Sequence, residues 1–477
     1  MTRIQNPQIT FADLEFIRQG IDMDPILKKV DEFLDDHPEL EELVRKDLEW
    51  GLKNPNTGRK GITPGQTLRS YILKRIKNWD YRELRERIAD GYTLRVFTHF
   101  YGAPVPKHDA FNMNFNKLRP ATIRSINDLV VRAAVDLELE DGSKLRVDTT
   151  VSETNVHHPT DNTLLWDVVR VVTCLLFKLA GLLPQGVSGF TNRTRSARRR
   201  MQEIQRMTAK ARHDHQEEKY RDLIRITEQV LANVRQVLKR TQSVRVADLM
   251  DSIAIDELRR KIEYYCQLGD RVIDQTRRRV LKGEQVPADE KLYSIFEVHT
   301  DLIVRGKIQK PIEFGHKIYL AESARGLITQ YKVLDGNPSD QDHVKTSLEN
   351  HKKVFGCAPD LYSSDRGFFS EDNIKECKKA GAKLICIPQR GGKRSPDREA
   401  FEKSPAFKSG QRFRAGIEGR ISVLFRGRGM KRCPDEGRER FETFVGACVL
   451  ANNLMIIAHL LIEKEKREKH NRQRKAA

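Results

Sequence analysis

The stretch KLRVDTT, residues 144–150, marks a change from helical to strand-like sequence. Leu145 and Val147 alternate with polar residues, which is the pattern of a half-buried strand, and the turn signal EDGS at 140–143 precedes them. Residues 1 to about 135 instead carry apolar residues at helical spacing, as in Ile26–Trp50. The sequence therefore predicts an α/β fold preceded by an all-α N-terminal region.

More strands are predicted after residue 290, namely Tyr293–Val304, His316–Ala321, Ile328–Val333, Asp360–Ser364 and Lys383–Ile387. The gap between residue 150 and these strands carries long helical stripes at Asp214–Arg240 and Leu258–Val280. A helical insertion between two strands of one sheet is the economical account of this order.

The charge balance favours a polyanionic partner. Lys and Arg total 86 against 67 Asp and Glu, which gives a net charge of +19. Nucleic acid is the commonest such partner, and an anionic membrane is the main rival. Two apolar runs, Val168–Leu183 and Thr443–Ile462, are interrupted by polar or charged residues, so we predict buried helices and no membrane partner.

A basic stretch opens the predicted insertion. It holds eight cations and a single acid, Glu203. A solvated helix face and a phosphate-contacting arm are both open interpretations. The cations are Arg193, Arg195, Arg198, Arg199, Arg200, Arg206, Lys210 and Arg212.

Four regions are predicted along the chain. They are a helical DNA-binding region at 1–135, a discontinuous catalytic sheet domain at 136–163 and 288–448, a helical insertion at 164–287, and a C-terminal helix with a charged tail at 449–477. Short helices at Leu68–Ile76 and Tyr81–Ala89 suit a helix-turn-helix unit, with an ordinary helical bundle as the alternative.

The seven cysteines predict neither a zinc site nor a disulfide framework. No two have the C-x-x-C spacing, and their number is odd. A reducing cytoplasm fits this usage best, and a DNA partner would place the protein at the nucleoid.

Three carboxylates stand out by position. Asp148 lies in the first strand, Asp365 ends a later one, and Glu418 lies in a predicted helix. Such a set suits phosphodiester chemistry, in which two Mg²⁺ ions about 3.5–4 Å apart activate the attacking oxygen and stabilise the leaving one. Each also has a simpler interpretation: a solvent-facing Asp, a turn Asp, and a surface ion pair of Glu418 with Arg420.

Four segments together resemble DDE-type transposases of bacterial insertion sequences. VDTTV at 147–151, continued by ETN at 153–155 and HPTDN at 158–162, is similar to the first acidic motif of that family. KPIEFGHK at 310–317 resembles a family hairpin, and SDRGF at 364–368 the second acidic motif. EGRIS at 418–422 with GMKRC at 429–433 is similar to the third.

The resemblance implies a ribonuclease-H-like fold, a mixed five-stranded sheet flanked by helices. It implies that Asp148, Asp365 and Glu418 are catalytic carboxylates that bind two Mg²⁺ ions, with Mn²⁺ as a substitute. Water would cleave the element end, and the freed 3′-hydroxyl would attack target DNA. The implied partners are double-stranded DNA with terminal inverted repeats, target DNA, and a second copy of the chain on DNA.

Some family members carry a Tyr, Arg, Glu, Lys signature around the last acid. Arg414 stands four residues before Glu418, as that signature requires, but Gln411 takes the Tyr position and Phe425 the Lys position. Arg426 is adjacent to the latter. The predicted DNA-contacting residues are Arg414, Arg420, Arg426, Lys431, Arg198, Arg199 and Arg200.

Two other functions stay open at this point. A catalytically silent DNA-binding regulator would retain the fold without cutting, and a structure-specific nuclease would cut without joining. No G-x-x-x-x-G-K-[ST] or H-E-x-x-H motif occurs, so a nucleotide-driven motor and a zinc hydrolase are not favoured. Trp166 fits either a stacking platform for an unpaired base or a core position.

Overall fold

The computed structural model describes residues 2–3, 11–17, 22–55, 57–244, 246–304 and 311–476. The chain forms two compact units, Met1–Thr154 with His316–Ala477 (unit 1) and Asn155–Gly315 (unit 2). The finer predicted division of the chain into four regions stays a prediction. Lys310, the first residue of the predicted hairpin, lies outside the described residues, as do the side chains of Lys210 and Arg212.

The helices are numbered in chain order. Eight precede the first long strand: α1 Phe11–Ile17, α2 Pro25–Asp35, α3 Glu39–Glu49, α4 Pro64–Lys77, α5 Tyr81–Asp90, α6 Tyr92–Phe97, α7 His108–Phe115 and α8 Pro120–Asp136. Unit 2 holds α9 Asp161–Leu182, α10 Thr194–Gln205, α11 Ala209–Thr241 and α12 Leu249–Thr276. The rest are α13 Val344–Phe355, α14 Glu371–Ala380, α15 Pro396–Lys403, α16 Pro405–Gly427 and α17 Arg438–Ala476.

The strands are β1 Thr2–Arg3, β2 Arg59–Lys60, β3 Lys144–Glu153, β4 Asp301–Val304, β5 Ile312–Ser323, β6 Ile328–Val333, β7 Leu361–Ser363 and β8 Leu384–Cys386. The described residues form a main sheet of six strands in the order β4-β5-β3-β7-β8, with β6 also paired to β5. β3, β7 and β8 are parallel, whereas β4 and β6 run antiparallel to β5. The predicted α/β class is therefore confirmed.

The sheet differs from prediction at two places. It has six strands, as the strand patterns predict, instead of the five that the resemblance implies, and β4 starts at Asp301 instead of Tyr293. The Ser294 hydroxyl accepts hydrogen bonds from the backbone N–H groups of Phe296 and Glu297, both at 3.1 Å. This local turn bends the chain where an extended strand was predicted.

Helices cover both faces of the sheet in unit 1. Along β5, Tyr319 and Ala321 pack into an apolar cluster with residues of α13 and α14, while Ile318 and Leu320 pack into another with residues of α16 and α17. Such alternation is the period-2 geometry of a strand buried on both sides. The neighbouring strand β3 contributes Leu145 and Val147 to the first of these clusters.

The N-terminal helices pack around α17. Buried apolar residues of α17 such as Leu450 and Leu454 share one cluster with Leu73 of α4 and Ile126 of α8. Among the described helices, α17 is the one long and apolar enough to cross a membrane, but 78% of its apolar window is buried inside the protein. The packing is that of a core helix, as predicted for 443–462.

Unit 2 is a helical bundle built on α9. One face of α9, including Leu165, Val172 and Leu179, is buried against α10, α11 and α12. The predicted helices 214–240 and 258–280 correspond to α11 and α12, and a short π-helical turn, Arg277–Leu281, ends the latter.

Candidate active site

Two of the predicted acids lie at the same edge of the sheet. In the parallel pairing of β3 with β7, Lys144 lies opposite Leu361 and Arg146 opposite Ser363. Asp365 follows the end of β7 by two residues, at the edge of the sheet where Asp148 lies on β3. Asp148 is buried, and its Oδ1 accepts a hydrogen bond from the Thr149 N–H at 2.7 Å. Asp365 is half-buried and accepts from the Gly367 N–H at 2.9 Å.

Helix α16 positions the third acid. Ser404 caps its first turn by accepting from the Phe407 N–H, and Pro405 follows. The Ser363 hydroxyl donates to the Gly410 carbonyl at 2.9 Å, and Gln411 Nε2 donates to the Cys386 carbonyl at 2.6 Å. Gln411, at the Tyr position of the family signature, thus fastens the helix to the sheet edge.

Arg414 joins two acids. Its Nη2 lies 3.2 Å from Asp148 Oδ2, and its Nη1 lies 2.8 Å from Glu418 Oε1. Glu418 is 65% exposed at its side chain, whereas Arg414 is 19% exposed. The simple pairing of Glu418 with Arg420 is not what the structure shows. The three acids converge on one edge, but as a set their oxygens do not all lie within 4.8 Å of one another among the described residues.

A fourth carboxylate, which the sequence analysis missed, lies beside these acids. Asp340 Oδ1 accepts from the Thr149 hydroxyl at 3.0 Å and lies 2.8 Å from Lys317 Nζ. A Cβ added to Gly367 would be 3.0 Å from both Asp340 Oδ2 and Asp365 Oδ1. The sequence around Asp340 carries no strand-end signal, so only the tertiary structure reveals its proximity to the acids.

The predicted DNA-contacting residues near Glu418 divide into two groups. Arg420 lies inward, where its Nε donates to the fully buried Glu322 at 3.0 Å. Arg426 and Lys431 are exposed. Phe425, at the Lys position of the signature, packs against the core, so the adjacent Arg426 is the cation that faces solvent.

The basic stretch of unit 2 is partly neutralised. Arg199 and Arg200 lie 2.9 Å and 2.7 Å from Glu203, and their hydrogen bonds, that of Arg200 above all, lower the pKa of Glu203 to about 2. Arg198 is exposed. Trp166 is half-buried, with the Arg170 guanidinium 5.2 Å from its ring centre.

A second acidic cluster lies among the N-terminal helices. Asp31, Asp35 and His99 bring ligand atoms within 4.8 Å of one another, but the buried Arg69 guanidinium contacts both carboxylates. Burial raises the pKa of Asp31 to about 7 and lowers that of His99 to about 3. The cluster already holds a cation of the chain itself, so it suits a structural ion-pair network.

Comparison with known families adds one finding. Residues 15–117 match a family model described as a transposase domain (DUF772). This match supports a transposase. It covers helices that precede β3, so it does not reach any of the four carboxylates. No curated protein and no solved structure is significantly similar to the chain.

Proposed function

We propose that the chain is a DDE-type transposase of an insertion sequence, with Asp148, Asp365 and Glu418 as its catalytic carboxylates. The observation that carries this proposal is that Arg414 contacts both Asp148 and Glu418, while Asp365 follows β7, the strand that pairs with β3. The mixed sheet, with helices on both faces and a helical segment between β3 and β4, agrees with the ribonuclease-H-like fold that the resemblance implies.

The donor set fits Mg²⁺. All of its ligands are hard carboxylate oxygens, and the chain itself places a cation, Arg414, between two of them. Bound Mg²⁺ or Mn²⁺, two ions per site, would activate an attacking oxygen and stabilise a leaving one at a phosphodiester. The requirement on the protein is that Arg414 releases Asp148 and Glu418, after which its guanidinium is free for a DNA phosphate.

The proposed partners are double-stranded DNA with terminal inverted repeats and target DNA, bound by a homodimer. The exposed Arg426 and Lys431 both follow Glu418 in sequence and supply phosphate contacts there. Arg420 supports these contacts indirectly, since its guanidinium is held by Glu322. The proposed setting is the cytoplasm, at the nucleoid.

The test is cleavage and joining of labelled DNA that carries the element's own ends. We expect nicking at the ends in Mg²⁺, none with chelator, and at least about a thousandfold loss in Asp365→Asn, the scale on which essential catalytic groups act. Asp360→Asn is the matched control, because this exposed Asp precedes the same strand and forms a surface ion pair with Lys383. Joined products exclude a plain nuclease. Tight binding without cleavage in Mg²⁺ or Mn²⁺ would leave the silent regulator as the better account.

A further inference from the structure

A groove of about 720 Å³ runs between α9 and α10 in unit 2. One face of α9 forms its floor, with residues at helical spacing of four, four and three: Trp166, Arg170, Cys174 and Phe177. The other wall comes from the start of α10 and the residues before it. Two of its lining residues are Arg198, a predicted DNA contact, and Trp166, predicted as a stacking platform or a core residue.

Phe177 is the aromatic ring that the groove leaves open. It is 54% exposed, and its ring meets Phe190 edge-on with centroids 6.0 Å apart. Trp166 is the less accessible ring, because Arg170 lies over its face. Its exposed ring gives the groove a flat apolar face on which a planar group can stack.

The rim is cationic. Lys178, Arg195 and Arg198 line the groove and are exposed, and no carboxylate lines it among the described residues. Arg195 and Arg198 are one helical turn apart and form no ion pair in the described part of the chain, unlike Arg199 and Arg200, which Glu203 holds. The groove therefore offers one stacking surface and a row of unneutralised positive charge.

We propose that this groove binds an unpaired stretch of nucleic acid, with a base stacked on Phe177 and phosphates against Arg195 and Arg198. Aromatic rings beside a basic groove are the usual means of holding single strands without sequence preference. Duplex DNA buries its base faces and does not offer them to Phe177. The inference rests on the proposed function only in that a transposase meets DNA strands opened at the element ends.

The test is binding of a fluorescent 20-nucleotide oligothymidine by the full chain at several salt concentrations. Phe177→Ala should weaken binding about tenfold, the scale of one stacked base. Phe177→Trp should retain it, since the stacking face is kept. Tyr264→Ala is the matched control, because Tyr264 is 48% exposed on α12 outside the groove. The double variant Arg195→Gln with Arg198→Gln should lower the salt slope, log Kd against log salt, by about 1.4.

Each outcome decides the question. The proposal is overturned if Phe177→Ala and Tyr264→Ala lose affinity for oligothymidine equally, or if neither loses affinity. It is also overturned by stronger binding to phosphatidylserine vesicles than to the oligonucleotide, or by an unchanged affinity when duplex replaces single strand. Melting curves of every variant distinguish a loss of binding at the groove from a loss of the folded structure. If the native chain cuts element ends but Phe177→Ala binds oligothymidine with native affinity, the groove proposal is wrong while the transposase proposal stands. If binding behaves as expected but no end is cut, the transposase proposal fails alone.

Discussion

At the scale of single residues, Arg414 occupies the space between two of the three acids. Carboxylates close together repel, by about 4 kcal/mol per pair at 4 Å and an effective dielectric of 20. The Arg414 guanidinium offsets that repulsion at Asp148 and Glu418. It therefore stabilises the close approach of these two carboxylates and opposes the binding of a further cation beside them.

Replacing Arg414 should tighten divalent metal binding while it weakens catalysis. Removal of one positive charge about 4 Å away is worth at least about 1 kcal/mol toward a cation, so the Mn²⁺ Kd of Arg414→Gln should fall at least about fivefold. Titration calorimetry or Mn²⁺ paramagnetic resonance on the full chain measures this. Arg412→Gln, two residues away and exposed, is the control. Unchanged or weaker Mn²⁺ binding in Arg414→Gln would contradict the claim that Arg414 competes with a divalent ion for these carboxylates.

At the scale of elements, the position of Glu418 depends on how closely α16 approaches the sheet. Gly410 permits this approach, because an added Cβ would overlap the Cys386 sulfur and also contact Leu361. Gly419 lies on the same helix, and an added Cβ there would meet nothing within 4 Å. The two glycines form a matched pair for testing helix docking.

Gly410→Ala should lower the free energy of unfolding by about 1–3 kcal/mol through overpacking, and should reduce end cleavage by displacing Glu418. Gly419→Ala should instead raise it by about 1 kcal/mol, since Ala favours a helix interior. Urea denaturation gives both values. Equal effects at the two positions would show that the Gly410 contact does not fix α16.

A buried histidine on α13 should make unit 1 acid-sensitive. His351 Nε2 donates to the Gly142 carbonyl at 2.9 Å, and burial lowers the pKa of His351 from 6.5 to about 4. Between these values the unfolded chain binds a proton that the folded chain does not, so stability is lost as pH falls from 6.5 to about 4. The loss amounts to about 3 kcal/mol.

Urea denaturation between pH 4.5 and 7.5 measures this effect. His351→Gln should flatten the pH dependence, since the Gln amide also donates but does not titrate. His459→Gln, at an exposed site on α17, should leave it unchanged. If the free energy of unfolding changes with pH equally in the native chain and in His351→Gln, another group causes the acid sensitivity.

Local patterns predicted most elements but not their limits. Strand patterns located β3 and β6 closely, and the short apolar run at 360–364 located β7. The predicted stripe of Ile26–Trp50 became two helices, since Pro38 separates α2 from α3. The true start of β4 depended on hydrogen bonds of Ser294, which periodicity does not report.

At the scale of the whole molecule, the match to a transposase domain lies in residues 15–117 and the proposed catalytic acids in 148–418. The order of the acids in the sequence, together with the resemblance, selected Asp148, Asp365 and Glu418. Their grouping with Asp340, and the inward position of Arg420, depend on contacts between residues 191 and 98 positions apart in the sequence. No spacing rule in one sequence conveys such contacts.

The excess of 19 positive charges should make the proposed DNA binding by the whole chain salt-dependent. Affinity for duplex ends should fall by at least about a thousandfold between 50 and 200 mM salt, as for proteins that make six or more phosphate contacts. Fluorescence anisotropy compares binding to end DNA with binding to a scrambled duplex. The scrambled duplex gives the electrostatic contribution to affinity, and the difference between the two gives the sequence-specific contribution. A salt-insensitive affinity would contradict phosphate contacts as the main source of binding.

Iron-mediated cleavage of the polypeptide most directly tests the proposal that Asp148, Asp365 and Glu418 share a metal site. Fe²⁺ replaces Mg²⁺ at carboxylate sites, and with ascorbate and peroxide it cuts the backbone beside the ion. We predict cuts near residues 148, 365 and 418 of the native chain, suppressed by excess Mg²⁺ and lost together in Asp148→Asn. Cuts that cluster instead around Asp31 and His99, or a pattern that Asp148→Asn leaves unchanged, would contradict the account.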